Sequence, residues 1–214
     1  MKKLSWTGYF LLLLLMACSS TKITNWWKAE NVAPVTKGKI MVIGLIKEPD
    51  RSIQQNIENQ LVSGLQNLGY SAMSSLQEYG PKAFNQMNEE AALRKLRSSG
   101  VDAVLTIVLL NKQKERNYVA GNIYYSPYGY YSNRWWNYNM TLYNRIYEPG
   151  YYVVNTRYFW ESNLFDLSTQ KLLYSVQTQS FDPSTPESLG KEYGTLIIEN
   201  MVKNGALVGN GMKR

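Results

Sequence analysis

The chain has no histidine and a single cysteine among its 214 residues. Without imidazole there is no Ser-His-Asp triad, no Cys-His pair and no His-ligated metal. One cysteine allows neither an internal disulfide nor a Cys-only zinc site. Long apolar runs are also scarce. The apolar stretch from Tyr9 to Ala17, centred on Leu11 to Leu15, is much shorter than the ~20 residues a bilayer-spanning helix needs. Acidic residues number 16 against 23 basic ones, and the basic ones are scattered along the chain rather than gathered into a nucleic-acid-binding patch. The length suits one domain with an appendage.

What is present begins at the amino terminus. Lys2 and Lys3 precede the apolar stretch, which has the size of a secretory h-region. It runs into Leu15-Met16-Ala17-Cys18-Ser19-Ser20, so the sole cysteine sits at the end of a signal peptide spanning residues 1–17. This resembles the lipobox of bacterial lipoproteins. The resemblance implies a diacylglyceryl thioether on Cys18, cleavage between Ala17 and Cys18, and attachment to a membrane through acyl chains. Losing Lys2 and Lys3 leaves 21 basic and 16 acidic residues, a net charge of +5. Each buried acyl methylene contributes about 0.8 kcal/mol, so two or three chains hold a protein on the bilayer. Ser19 follows the cysteine where, by the same resemblance, an aspartate favours inner-membrane retention. The expected location is therefore the outer membrane, facing the periplasm.

Residues 18–37 are polar and aperiodic and are expected to be a lipidated tether. Within them Trp26-Trp27 either rests at the lipid interface or covers an edge of the domain, the second being favoured. The domain proper is expected over 38–206. Ile40 to Ile46 is an uninterrupted apolar run that suits a strand buried on both faces. Pro49-Asp50 breaks it, with Asp50 a candidate N-cap. Ile53, Ile57, Leu61, Leu65 and Leu68 repeat at helical spacing and Gly69 closes the helix. A weaker strand over 70–75, a helix over 88–99 closed by Gly100, and a strong strand over 101–110 follow. Beyond an aromatic stretch, Tyr152, Val154, Tyr158, Trp160 and Leu164 alternate with polar residues, giving an inward-facing strand. A turn at 166–170 leads to a returning strand through Leu172, Tyr174 and Val176. Ser184-Thr185-Pro186-Glu187 starts a last helix, with Leu189, Tyr193, Leu196, Ile197 and Met201 on its apolar face and Gly205 at its end. Residues 207–214 are expected to be a flexible tail. The fold class is thus α/β: a single domain with a βαβαβ core, extended by an antiparallel β-hairpin and a C-terminal helix.

Together the lipobox, the βαβαβ core, the aromatic insertion and the strand pair Asn163-Leu164-Phe165-Asp166 to Lys171-Leu172-Leu173-Tyr174 resemble a group of Gram-negative envelope lipoproteins. Their core is similar to the α/β domains of the Tol-system periplasmic protein and of the curli secretion lipoprotein. The resemblance implies an envelope role and carries no catalytic residues.

Chemistry-bearing motifs are few. Ser-x-x-Lys occurs at Ser19/Lys22 and Ser168/Lys171, in the tether and in a hairpin turn rather than at a helix start in a cleft. No Gly-rich phosphate loop follows the first strand, where Glu48-Pro49-Asp50 stands instead. Glu89 and Glu90 are adjacent on a helix and diverge. Glu161 and Asp166 fall on opposite strand faces. Glu48, Asp50 and Asn111 would gather at the carboxyl ends of the strands, where open α/β sheets bind ligands, but capping and solvated loops account for them. No enzyme, cofactor or metal is expected. The insertion over 118–150 carries the candidate binding residues Tyr124, Tyr125, Tyr128, Tyr130, Tyr131, Trp135 and Trp136, with Arg134 and Arg145 able to stack on their rings. These suit an envelope protein partner or a cell-wall glycan; the alternative, which is favoured, is a mobile, partly disordered flap whose aromatics fold over the sheet. The expected function is a non-enzymatic, lipid-anchored binding or assembly factor. The alternative is a glycan- or peptidoglycan-binding lipoprotein, and an envelope hydrolase comes last.

Overall fold

The computed structural model describes residues 20–30, 32–35, 38–47, 51–82, 84, 87–119 and 150–209. Among them six strands form one sheet: β1 (Thr21–Lys28), β2 (Lys39–Leu45), β3 (Ser71–Ser74), β4 (Ala103–Val119), β5 (Tyr151–Asp166) and β6 (Leu172–Phe181), in the order β1-β6-β5-β4-β2-β3. Four helices accompany it: α1 (Ser52–Asn67), α2 (Ser75–Tyr79), α3 (Glu89–Ser98) and α4 (Pro186–Lys203). β2 runs parallel to β3 and β4, whereas β6 is antiparallel to both β5 and β1. The chain divides into two compact units, residues 1–112 with 157–214, and residues 113–156. The second takes in the expected insertion and the ends of β4 and β5 that flank it.

β2 shows why an uninterrupted apolar run makes a central strand. Ile40 and Val42 enter the larger core with Ile57, Leu61, Leu105, Tyr193 and Ile197, while Met41 joins Leu96, Val104 and Leu167 in a smaller cluster. Neighbouring side chains of a strand point to opposite faces, so both faces of β2 are covered. α1 and α4 pack against each other. The start of α4 is set by a capping box: Ser188 N donates to Thr185 Oγ1 and Thr185 N to Ser188 Oγ, each at 3.1 Å, with Pro186 in the first turn. α3 is capped by Asn88, whose Oδ1 accepts from Ala91 N at 2.9 Å, and Gly100 at φ +69° ends it.

Several expectations are corrected. The tether expected over 18–37 gives way at residue 21 to β1, an edge strand that pairs with β6 from Thr21↔Ser180 to Lys28↔Tyr174 with an irregularity between Ile23 and Asn25. Its identity comes from pairing, since the cross-strand partner and not the local pattern makes an edge strand. Trp26 and Trp27 lie in that edge strand, each 49% exposed. The expected tail also begins too early: Leu207 is buried and bridges Val35. The alternation expected from residue 152 holds only from Tyr158 onward, through Trp160, Ser162 and Leu164. Tyr152 and Val154 are exposed, because they precede the part of β5 that belongs to the larger core. α1 begins at Ser52 with Arg51 at the cap position, whose side chain makes no capping bond to the first turn's backbone; Glu48 and Asp50 lie outside the described residues.

Candidate functional site

A carboxylate that sequence reading passes over is the most elaborately held polar group. Glu58, in the middle of α1, is fully buried. Its Oε1 accepts from Gly44 N at 2.8 Å, Gln54 Nε2 at 2.9 Å and Ser75 Oγ at 3.4 Å. Its Oε2 accepts from Leu76 N at 3.0 Å and from Ser74 Oγ. A carboxylate offers about four lone-pair sites, so these donors saturate it. Gly44 makes the arrangement fit: a Cβ there would sit 2.9 Å from both Glu58 Oε1 and Gln54 Cγ. Arg51 reaches the same cluster by donating from Nη1 to Gln54 Oε1 at 3.1 Å. Glu58 therefore ties α1 to the end of β2 and to the β3–α2 junction, and has no lone pair left for a substrate proton. The available signal was the Gln54/Glu58 pair at i,i+4 beside Ile57 and Leu61.

Three further carboxylates, Glu161, Asp166 and Asp102, are also held by protein donors. Glu161 accepts from Asn163 Nδ2 and Gln177 Nε2, both at 2.9 Å, and the Gln177 bond, followed by the Asn163 bond, lowers its pKa. Asp166 Oδ1 accepts from Ser168 Oγ at 2.6 Å and from Thr169 N at 2.6 Å, and the Ser168 bond leads in lowering its pKa. This bond engages the hydroxyl of the Ser168/Lys171 pair. Asp102 Oδ2 accepts from Lys39 N at 2.8 Å. Asp102, Asp166, Arg97 and Ser168 line a cleft of about 350 Å³, but it lies at the amino end of β4, away from the carboxyl ends of the parallel strands where such sheets bind ligands. Asn111 is exposed and its Oδ1 accepts from the backbone N of Lys112. Among the described residues no three metal-ligating side chains gather. Glu58, Glu161, Asp166 and Asp102 each accept protein hydrogen bonds, so these four do not present a pair of unengaged carboxylates for acid–base work.

Ala17, Cys18 and the candidate rings Tyr124, Tyr125, Tyr128, Tyr130, Tyr131, Trp135 and Trp136 lie outside the described residues. Within the smaller unit, the described ends carry a related pattern. Tyr118 and Tyr152 meet at a tilt, with ring centroids 5.1 Å apart and 55° between the ring planes, and the guanidinium of Arg116 lies 4.4 Å from the centre of the Tyr152 ring. Tyr118 is 57% and Tyr152 58% exposed. Lys114, Arg116 and Tyr118 alternate along β4 and so share a face. Such a surface suits stacking and charge, not covalent chemistry.

No protein family matches the chain, and no curated protein does. Solved structures are similar in fold. A PelC variant dodecamer from Paraburkholderia phytofirmans is similar at a TM-score of 0.43 and 13% identity, over 87% of this chain and 99% of that one. Lipoprotein GNA1162 from Neisseria meningitidis is similar at a TM-score of 0.42 and 15% identity, over 78% of this chain and 99% of that one. Each is a likeness of chain path at low identity, and no ligand, partner or activity comes across with it.

Proposed function

We propose that this chain is a cell-envelope lipoprotein, held on the periplasmic face of the outer membrane by acyl chains on Cys18, whose α/β domain serves as a non-enzymatic binding or assembly factor. The observation that carries it is the Leu15-Met16-Ala17-Cys18 segment, in which the only cysteine of the chain stands at the end of an export signal. Among the described residues no helix is long and apolar enough to cross a membrane. The saturation of Glu58 and the local engagement of Glu161, Asp166 and Asp102 support a binding role over hydrolysis. The likeness of the core to the Tol-system and curli α/β domains belongs to the same proposal.

Intact mass and membrane fractionation of the native protein beside Cys18→Ser test the reading. The native protein is expected to carry acyl mass and to sediment with membranes, while the variant is unmodified and released. An unmodified, soluble native protein would refute it. The second reading, a glycan-binding lipoprotein, is favoured by the exposed cluster of Arg116, Tyr152 and Tyr118. Base–aromatic stacks on other polymers are worth about 1–3 kcal/mol each. On that scale Tyr118→Ala with Tyr152→Ala should reduce retention on purified sacculi by roughly tenfold or more. Unchanged retention of the double variant removes those rings from the reading.

A further inference from the structure

Among the described residues the fold begins at Ser20, two positions after Cys18. Ser20 is already fixed: its N and its Oγ both donate to Glu192 Oε2 at 2.8 Å, and its carbonyl accepts from Phe181 N at 2.8 Å. Only Ser19 separates Ser20 from Cys18, and two residue steps of fully extended chain reach about 7 Å at most. A polar headgroup layer is roughly 5–8 Å deep on each side of the hydrocarbon. An acylated Cys18 would therefore hold the Ser20 end of β1, and whatever flanks it, within the headgroup layer.

What flanks it has the chemistry of that layer. Phe181 is 41% exposed, at the carboxyl end of β6 directly beside Ser20. Arg157 is its register partner on β5, and the guanidinium lies 5.4 Å from the centre of the Phe181 ring. Lys22, two residues along β1, is exposed. An aromatic ring flanked by cations, with one apolar and one charged end, suits the boundary between acyl chains and anionic headgroups. Trp26 and Trp27 lie four and five residues beyond Lys22 along β1, roughly 13–17 Å further up the strand.

We infer that Phe181, Arg157 and Lys22 form a bilayer-contacting surface, and that the domain sits directly on the membrane at this end of the sheet with no flexible tether. This rests on acylation at Cys18 and fixes the orientation that follows from it. The occupant is a lipid surface carrying anionic headgroups.

The test uses the full-length, exported protein in vesicles of phosphatidylethanolamine and phosphatidylglycerol doped with brominated lipid. A fluorescent thiol label is placed through Phe181→Cys, through Lys22→Cys as a second reporter, or through Thr169→Cys as the distant control. An acylated Cys18 does not compete for the label. Thr169 is in the turn at the opposite end of β6, about 30 Å from Phe181. Quenching at 181 and 22 is expected to exceed that at 169 by about threefold or more, as for side chains at the headgroup–acyl boundary. Protein that carries acyl mass and sediments with the vesicles, yet shows equal quenching at all three positions, overturns the docking while leaving the anchor intact. Protein without acyl mass removes the anchor, and the docking with it, and the mass spectrum tells the two failures apart.

Discussion

Glu58 is a single side chain with the consequences of a small core. Burying a carboxylate is costly unless donors replace its water, and here five donors do so from four elements, β2, α1, β3 and α2. Replacing one oxygen with an amide NH2 turns that side of the site against itself, because the two or three donors that faced that oxygen now face another donor. Glu58→Gln is expected to lower the free energy of unfolding by about 2–4 kcal/mol in a urea titration. Ser74→Ala should cost about 1–2 kcal/mol, because Ser74 Oγ both donates to Glu58 and accepts from Gln77 N as the cap of α2. Ser75→Ala, whose bond to Glu58 is long at 3.4 Å, should stay within about 0.5 kcal/mol. Equal losses for the two serines would mean that the donors do not share the charge as the geometry says.

Between elements, the α1–α4 contact depends on what is missing. A Cβ at Gly190 would lie 2.8 Å from the backbone carbon of Asn56 and 2.9 Å from its oxygen, whereas one at Gly194 would meet Gln60 Cγ at 2.6 Å. Backbone cannot move aside, and a long flexible side chain can. Helix propensity alone favours alanine over glycine by about 1 kcal/mol, so the sign of the change decides which effect wins. Gly190→Ala is expected to lower stability by about 1–3 kcal/mol, and Gly194→Ala to cost less than Gly190→Ala, both read from thermal melts. A stabilised Gly190→Ala would show that the helices are not in close contact there. The same contrast governs how much of the fold was legible. α1 and α4 could be read because one face of each is buried in a common core, which imposes a helical period on Ile57, Leu61 and Leu65 and on Leu189, Tyr193 and Ile197. β2 could be read because both faces are covered. β1 could not, since Thr21-Lys22-Ile23-Thr24-Asn25-Trp26-Trp27-Lys28 is mostly exposed and owes its conformation to hydrogen bonds with β6, which leave no period in the side chains. Glu58 was hidden for the opposite reason: a glutamate in an amphipathic helix looks solvated until Gly44, fourteen residues earlier, shows that space was cleared for it. Phe181 gained its neighbourhood only from the register that sets it beside Ser20.

For the molecule as a whole, pH behaviour follows from one absence and from the buried phenols of Tyr70, Tyr174 and Tyr193. With no histidine, no imidazole titrates between the carboxylates and the tyrosines. Tyr70 joins distant parts of the chain: its hydroxyl donates to Val35 O and accepts from Val208 N at 2.8 Å. Tyr174 donates to Asn200 Oδ1, and the Tyr193 hydroxyl pairs with Ser162 Oγ at 2.6 Å beside the Trp160 ring. Burial raises the pKa of all three above the ordinary tyrosine value of 10.0, in Tyr70 against the Val208 bond and in Tyr193 against the Ser162 bond. A raised folded-state pKa means that the fold prefers the neutral phenol. The contribution is therefore complete below pH 10 and is lost as pH rises from the unfolded toward the folded value. The urea midpoint is expected to be nearly level through neutrality and to fall above about pH 10, with the tyrosinate absorbance of the buried phenols appearing together with loss of structure. Tyr193→Phe and Tyr174→Phe should each cost about 1 kcal/mol at neutral pH, and each should flatten the alkaline fall by removing one phenol that must ionise on unfolding. If the fall keeps its slope in both variants, it arises from lysines losing charge across the surface, and the phenols are not what limits the protein in base.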